Sequence, residues 1–161
     1  MLSLRPLADS HVHVSDHRHV QDCAEYCRMF NLTALGIVSL PDFRRINFNP
    51  EALYGKLLLP GLVEALAEGA EDDPFSDVAP ELTVFAFGAF DYSALFHDIL
   101  DEELDLAAQV RTLHEIGFDG VKMWAGKPSF QARTGLRLDA PTYRGAFHEA
   151  GRLGMPIVVH V

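Results

Sequence analysis

The chain has 161 residues, of which 48% are hydrophobic and 22% charged, the composition of a globular domain long enough to bury one core. Its net charge of −10 argues against a nucleic-acid partner, because no basic patch interrupts the acidic surplus. No apolar run approaches the roughly 20 residues that a membrane span needs, so no membrane partner is expected.

Two features of the first 30 residues indicate the compartment. Met1 is followed so closely by a predicted strand that no signal peptide fits before it. Cys23 and Cys27 lie four residues apart on a predicted helix, which favours buried thiols over a disulfide. We therefore expect a cytoplasmic protein.

The first predicted strand, residues 8–14, carries two histidines. Alternation along a strand places Asp9, His11 and His13 on one face. Two neighbouring imidazoles can share one divalent ion at about 2.0–2.1 Å from each nitrogen, and Asp9 can orient a ligand by a hydrogen bond. The alternative is a pair of partly buried, hydrogen-bonded histidines. The metal interpretation is favoured because residues 155–161 form another apolar strand that ends in His160.

The next elements are a helix, a strand and a long connection. Ser15 or Asp16 can cap the helix, which has an apolar stripe predicted to face the core: Val20, Cys23, Ala24, Cys27 and Phe30. Residues 34–40 are almost all apolar, as in strands of a parallel sheet covered on both faces. An irregular loop, 41–49, precedes a helix that begins at Pro50 and reaches about residue 67 with a break near Pro60. Residues 68–80 form an acidic linker.

The second half repeats the alternation of strand and helix. Strands are predicted at 83–89, 119–124 and 156–161, and the fourth of the five contains Lys122. A helix over 98–116, with Leu104 on its buried side, ends at Gly117. Another begins at Asp139 and Pro141 and ends before Gly154.

This order of elements predicts an α/β fold with a parallel sheet and right-handed crossovers. It fits an open five-stranded sheet or the first five strands of a (β/α)8 barrel, which needs at least about 200 residues to close. Ending on an apolar strand favours the barrel, because an open sheet would cover that strand with a helix. We therefore expect residues 1–161 to be a single domain: a partial TIM-type barrel of five strands and four helices, truncated after the fifth strand.

Three segments of the chain resemble the amidohydrolase superfamily of metal-dependent barrels, in particular its amidohydrolase-related branch. They are DSHVH at 9–13, GFDGVK at 117–122 and GMPIVVH at 154–160. The resemblance implies that His11 and His13 are metal ligands, and that His160 is a ligand or a catalytic group beside the metal. Lys122 falls where members with two metals carry a carbamylated lysine that bridges them, although many members of this branch use one metal without such a bridge.

The basic residues near the predicted strand ends have alternative roles. Lys122 can bridge metals, contact a substrate anion or pair with Asp119 or a loop carboxylate, since an unpaired buried ammonium costs several kcal/mol. Arg44 and Arg45 follow the second strand and Lys127 follows the fourth. These three can bind a substrate carboxylate or remain solvated surface charges.

The resemblance implies a hydrolase in which a metal ion lowers the pKa of bound water to about 7 and polarises an amide, lactone or ester. Zinc is the first expectation, with manganese, iron or nickel as alternatives and one or two ions. The alternatives are a non-oxidative decarboxylase of the same branch, acting on a small carboxylate-bearing molecule, and a non-catalytic metal-binding module. The family's sixth-strand histidine and eighth-strand aspartate have no counterpart here, so the isolated chain is expected to be inactive. Two copies could pair across exposed strand edges as a homo-oligomer.

Overall fold

The computed structural model describes residues 7–14, 17–39, 74–95 and 104–160. The predicted helix over 50–67 and the loop that carries Arg44 and Arg45 lie outside the described residues. Within them are five strands: β1 Leu7–Val12, β2 Leu32–Val38, β3 Thr83–Ala89, β4 Gly120–Met123 and β5 Ile157–Val159. The same ranges contain four helices: α1 His17–Phe30, α2 Leu106–Ile116, α3 Pro128–Thr134 and α4 Arg144–Leu153. Short 3-10 turns occupy Ser93–Leu95 and Pro141–Tyr143.

All five strands are parallel and pair in the order β1-β2-β3-β4-β5, which confirms the predicted α/β class and the parallel sheet. In a flat sheet β1 and β5 would lie about 19 Å apart, four strand spacings of about 4.8 Å. The imidazole centres of His11 in β1 and His160 after β5 are only 5.7 Å apart. The sheet is therefore curled into half a barrel, and its first and last strands approach each other across the concave side.

The apolar core lies between the convex face of the sheet and the helices. Leu106, Val110 and Leu113 of α2 are buried in it together with Val121 and Met123 of β4. Lys122 lies between those two strand residues, so alternation points its side chain to the concave face. Because Val121 and Met123 pack against the helices, Lys122 is the residue of β4 whose side chain can reach the histidines.

A glycine in β3 lets α2 pack closely. A Cβ at Gly88 would overlap the side chain of Leu113 and press on the ring of Phe118. The helix then ends at Gly117, whose φ of 104° suits glycine and allows the chain to turn into β4.

Several predicted boundaries need correction. The helix predicted from residue 98 begins, within the described residues, at Leu106, because the carboxylate of Asp105 accepts a hydrogen bond from Ala108 N at 2.9 Å and caps it. Leu104 precedes the helix and packs against the core without belonging to it. The helix predicted from Pro141 begins with a 3-10 turn, and α4 itself starts at Arg144. Helix α3 was not predicted at all.

The prediction that Phe30 lies on the buried stripe of α1 is wrong. Val20, Cys23, Ala24 and Cys27 are buried, whereas Phe30 is 52% exposed. Phe30 is the last helical residue, next to Asn31 with a φ of 54°, where the chain turns into β2. Its ring packs on Tyr26 of the same helix, with the ring centres 5.0 Å apart.

Both cysteines are free thiols buried against the core, as predicted. None of the helices in the described ranges is both long enough and apolar enough to cross a membrane.

Candidate functional site at the carboxyl edge of the sheet

Polar side chains from the strands converge at one edge of the half-barrel. Because the strands are parallel, their carboxyl ends share this edge, where active sites of parallel α/β folds lie. The residues in or just after the strand ends are His11 and His13 (β1), Ser39 (β2), Asp91 (β3), Lys122 and Trp124 (β4), and His160 (β5).

Strand β1 is irregular, and this corrects the expectation that Asp9 and His11 share a face. The pairing of β1 with β2 shifts register between Asp9 and Val12. Asp9 accepts hydrogen bonds from the backbone N–H of His11 at 3.0 Å and from the hydroxyl of Tyr26 in α1 at 3.1 Å. The carboxylate thus fastens β1 to the helix layer, whereas the His11 ring lies on the concave side. A role of Asp9 in orienting a ligand, as predicted, would act through the His11 backbone.

His11, His13 and His160 form a group that we call the histidine cluster. The ring centre of His11 is 5.6 Å from that of His13 and 5.7 Å from that of His160. Two imidazoles that share one ion at about 2.0–2.1 Å from each nitrogen have ring centres about 5 Å apart. The rings meet edge to face, and no three His, Cys, Asp or Glu side chains of the described residues are already placed to hold an ion. The ring spacing is slightly wider than that of a shared ion, and the rings would have to approach and turn before they could bind one.

The hydrogen bonds of the cluster suit metal binding. His13 Nδ1 lies 2.6 Å from the carbonyl oxygen of Val38, so a neutral ring donates there and leaves its Nε2 lone pair available. His160 donates its backbone N–H to Met123 O at 2.8 Å, which fixes it beside β4. Its Nδ1 is buried and has no hydrogen-bond partner in the described structure.

The electrostatic surroundings keep two of these imidazoles neutral. Burial, followed by the charge of Lys122, lowers the pKa of both His11 and His160. Both shifts favour the neutral imidazole, which is the form that binds a metal ion.

Lys122 lies against the cluster. It is 1% exposed, and its Nζ is 3.4 Å from His11 Nδ1. Among the described residues no carboxylate forms an ion pair with it. The pairing with Asp119 considered from the sequence is not found, because that carboxylate precedes β4 and accepts a hydrogen bond from Ala86 N at 2.8 Å. Burial lowers the pKa of Lys122.

Trp124 extends the site beyond His160 and was not predicted. Its indole stacks on the His160 ring, with centres 4.7 Å apart and planes 24° apart. Lys127 Nζ lies 5.0 Å from the indole centre, so this predicted substrate-binding residue stands at the rim of the cluster. The position of Trp124 directly after β4, as the only tryptophan of the chain, was the available signal.

Two other residues at this edge were also missed. Ser39 is fully buried, and its hydroxyl accepts from Ala89 N at 2.6 Å, which joins the ends of β2 and β3. Asp91 is buried after β3, where Gln109 hydrogen-bonds to both its backbone N–H and its carbonyl at 2.8 Å. Ser39 and Gln109 thus hold the loops beside the cluster. Arg44 and Arg45 lie outside the described residues.

In comparisons with known proteins, no family model and no curated protein matches this chain.

Proposed function

We propose that this chain supplies the metal-binding half of a TIM-type barrel hydrolase resembling the amidohydrolases. The observation that carries the proposal is the histidine cluster, in which a curled sheet brings imidazoles from its first and fifth strands together at its carboxyl edge. Active sites of (β/α)8 barrels lie at this edge.

The residues that would hold the ion are His11, His13 and His160. Zinc suits three imidazoles best, and manganese, iron and nickel are alternatives. Such an ion would supply Lewis acidity and would lower the pKa of water at the site. The chain itself contributes neutral ligand rings, the Val38 carbonyl that orients His13, and a buried positive charge at Lys122.

Closure into a full barrel would require strands beyond the five described. Strands β1 and β5 each pair with one neighbour among the described residues, so both have an edge on which a further strand can add. Such strands would also bring the sixth-strand histidine and the eighth-strand aspartate that the resemblance implies.

Decarboxylation is the second candidate, and Lys122 is the observation that favours it. A buried ammonium beside His11 can hold the carboxylate of an organic acid next to the ion. Two assays separate the reactions. One measures the release of carbon dioxide from an acid substrate, and the other measures the hydrolysis of an ester or a lactone.

Zinc binding tests the core of the proposal. After equilibrium dialysis we expect the chain to retain zinc, and the H11A/H13A variant to bind it more than about 100-fold more weakly, since loss of a ligand's supporting contact alone costs 10–100-fold. The matched control H114A/H148A removes two exposed histidines from α2 and α4 and should bind like the original chain. If H11A/H13A bound zinc as tightly as the control, the proposal would be wrong.

A further inference from the structure

Two of the three lysines of this acidic chain lie around the histidine cluster. The chain has a net charge of −10, and its lysines are Lys56, Lys122 and Lys127. The two that the structure describes both lie beside the cluster: Lys122 Nζ is 3.4 Å from His11 Nδ1, and Lys127 Nζ is 5.0 Å from the centre of the indole that stacks on His160. Both lysines that the structure describes are thus found at the carboxyl edge, next to the histidine cluster.

Lys122 is buried without compensation in the described residues. Its side chain is 1% exposed, its polar contact is an imidazole nitrogen at 3.4 Å, and no described carboxylate pairs with it. A buried ammonium without a counter-charge is costly to fold. A chain that needed only a filled core at this position would be more stable with an apolar residue of the same size. The lysine therefore points to an anion that arrives from outside.

Lys127 is held at the rim by Trp124. The indole stacks on the His160 ring, and the Lys127 ammonium lies over the same indole at 5.0 Å from its centre. Trp124 thus contacts both a cluster histidine and the rim lysine. Among the described residues Lys127 forms no ion pair, and its charge remains available to an incoming anion.

We propose that the buried Lys122 binds the carboxylate of an organic-acid substrate beside the histidine cluster, with Lys127 as a second positive charge at the entrance. A carboxylate carries the one negative charge that the single buried ammonium compensates, and Lys127 remains at the rim, 5.0 Å from the Trp124 ring. The inference rests on the proposed function for the reaction that follows, but the binding step needs no metal.

The chain contains its own reporter, because Trp124 is its only tryptophan and contacts both Lys127 and His160. Butyrate is titrated into the metal-free chain at constant ionic strength, with butyramide as the neutral counterpart, and the tryptophan fluorescence is recorded. We expect a saturable change with butyrate and none with butyramide. K122M should weaken butyrate binding at least tenfold, and K122R should restore part of it.

The control variant R144M removes one exposed positive charge at the start of α4 and should bind butyrate like the original chain. K122M is expected to fold with an unchanged circular dichroism spectrum and a raised midpoint of thermal unfolding, because methionine fills the same volume without a charge. If Lys122 had only a structural role, K122M would instead lower the midpoint of thermal unfolding.

Several results would overturn the inference: equal affinity for butyrate in K122M and R144M, equal responses to butyrate and butyramide, or tighter binding of inorganic phosphate than of butyrate. A mass increase of one carbon dioxide on Lys122 would also overturn it, by assigning the residue to a carbamate. Zinc dialysis of the same proteins keeps the two proposals apart. If K122M retains zinc but loses butyrate, both stand, and if the original chain binds butyrate but no zinc, only the metal proposal fails.

Discussion

Burial acts in opposite directions on the ionisable residues of this chain. It lowers the pKa of Lys122, because the charged form of an amine is the ammonium, and it raises the pKa of the cysteines, because their charged form is the thiolate. The same physical cause thus disfavours the charged form in all three side chains, the ammonium of Lys122 and the thiolates of Cys23 and Cys27.

The two cysteines should be unreactive in the folded chain. Burial first, then the neighbouring Cys27 and acidic groups, raise the pKa of Cys23 to about 11. At pH 8 only about one Cys23 in a thousand is then a thiolate, the form that attacks thiol reagents. We expect no labelling of Cys23 or Cys27 by iodoacetamide in buffer and complete labelling of both in denaturant. Rapid labelling of the folded chain would contradict the packing of α1 on the sheet.

The connection after β3 and the turn before α4 are joined by two buried tyrosines. The Tyr143 hydroxyl donates to the Tyr92 hydroxyl at 3.2 Å, and both rings are fully buried. Y92F removes the acceptor and leaves the Tyr143 hydroxyl buried without it, which should lower the free energy of unfolding by about 1–3 kcal/mol. The double variant Y92F/Y143F should recover part of this loss, because neither hydroxyl is then buried.

The same pair predicts a fall in stability at alkaline pH. Burial raises the pKa of both Tyr92 and Tyr143 above the ordinary value of 10.0. Above about pH 10 the unfolded chain therefore loses protons that the folded chain keeps, so raising the pH favours unfolding. Urea denaturation between pH 9 and pH 11 should show a smaller alkaline loss in Y92F/Y143F than in the original chain. Equal losses in the two proteins would show that these hydroxyls are not protected by the fold.

At the scale of elements, the sequence predicted the strands and helices that have an apolar periodicity. It missed a short helix and the boundaries that are set by local hydrogen bonds. Apolar runs located all five strands and three of the four described helices. Helix α3 has only seven residues and one buried side chain, Phe130, so it carries no apolar period to detect. The start of α2 depends on one hydrogen bond to Asp105, and the face of Asp9 depends on a register shift in β1.

For the candidate site, the sequence predicted which residues are candidate ligands, but it did not predict the distances between them. A His-x-His strand and a terminal strand histidine identify candidate ligands, but their separation depends on how far the sheet curls, which no local pattern records. Trp124 and Ser39 were missed for a related reason. Each gains its role from a partner at a distant position of the chain, His160 for the stacking and Ala89 for the hydrogen bond.

At the scale of the whole molecule, the curl of the sheet makes the histidine cluster a link between its two edge strands. The ends of β1 and β5 belong to opposite margins of a five-stranded sheet, yet His11 and His160 are neighbours. An ion bound by both His11 and His160 would connect β1 and β5 directly. Binding would then stabilise the entire half-barrel, beyond the local effect on one strand.

Zinc should therefore raise the thermal stability of the chain through His160. An ion that binds only the folded state stabilises it by about 2.7 kcal/mol at a free concentration 100 times its dissociation constant. We expect the unfolding midpoint of the original chain to rise with zinc, and the backbone amides of both β1 and β5 to exchange more slowly. H160Q should lose most of this rise, because His11 and His13 alone leave β5 unattached. H148Q changes an exposed histidine of α4 and serves as the matched control. If zinc raised the unfolding midpoints of H160Q and H148Q equally, the ion would not connect β1 with β5. His11 and His160 would then be neighbours without sharing an ion.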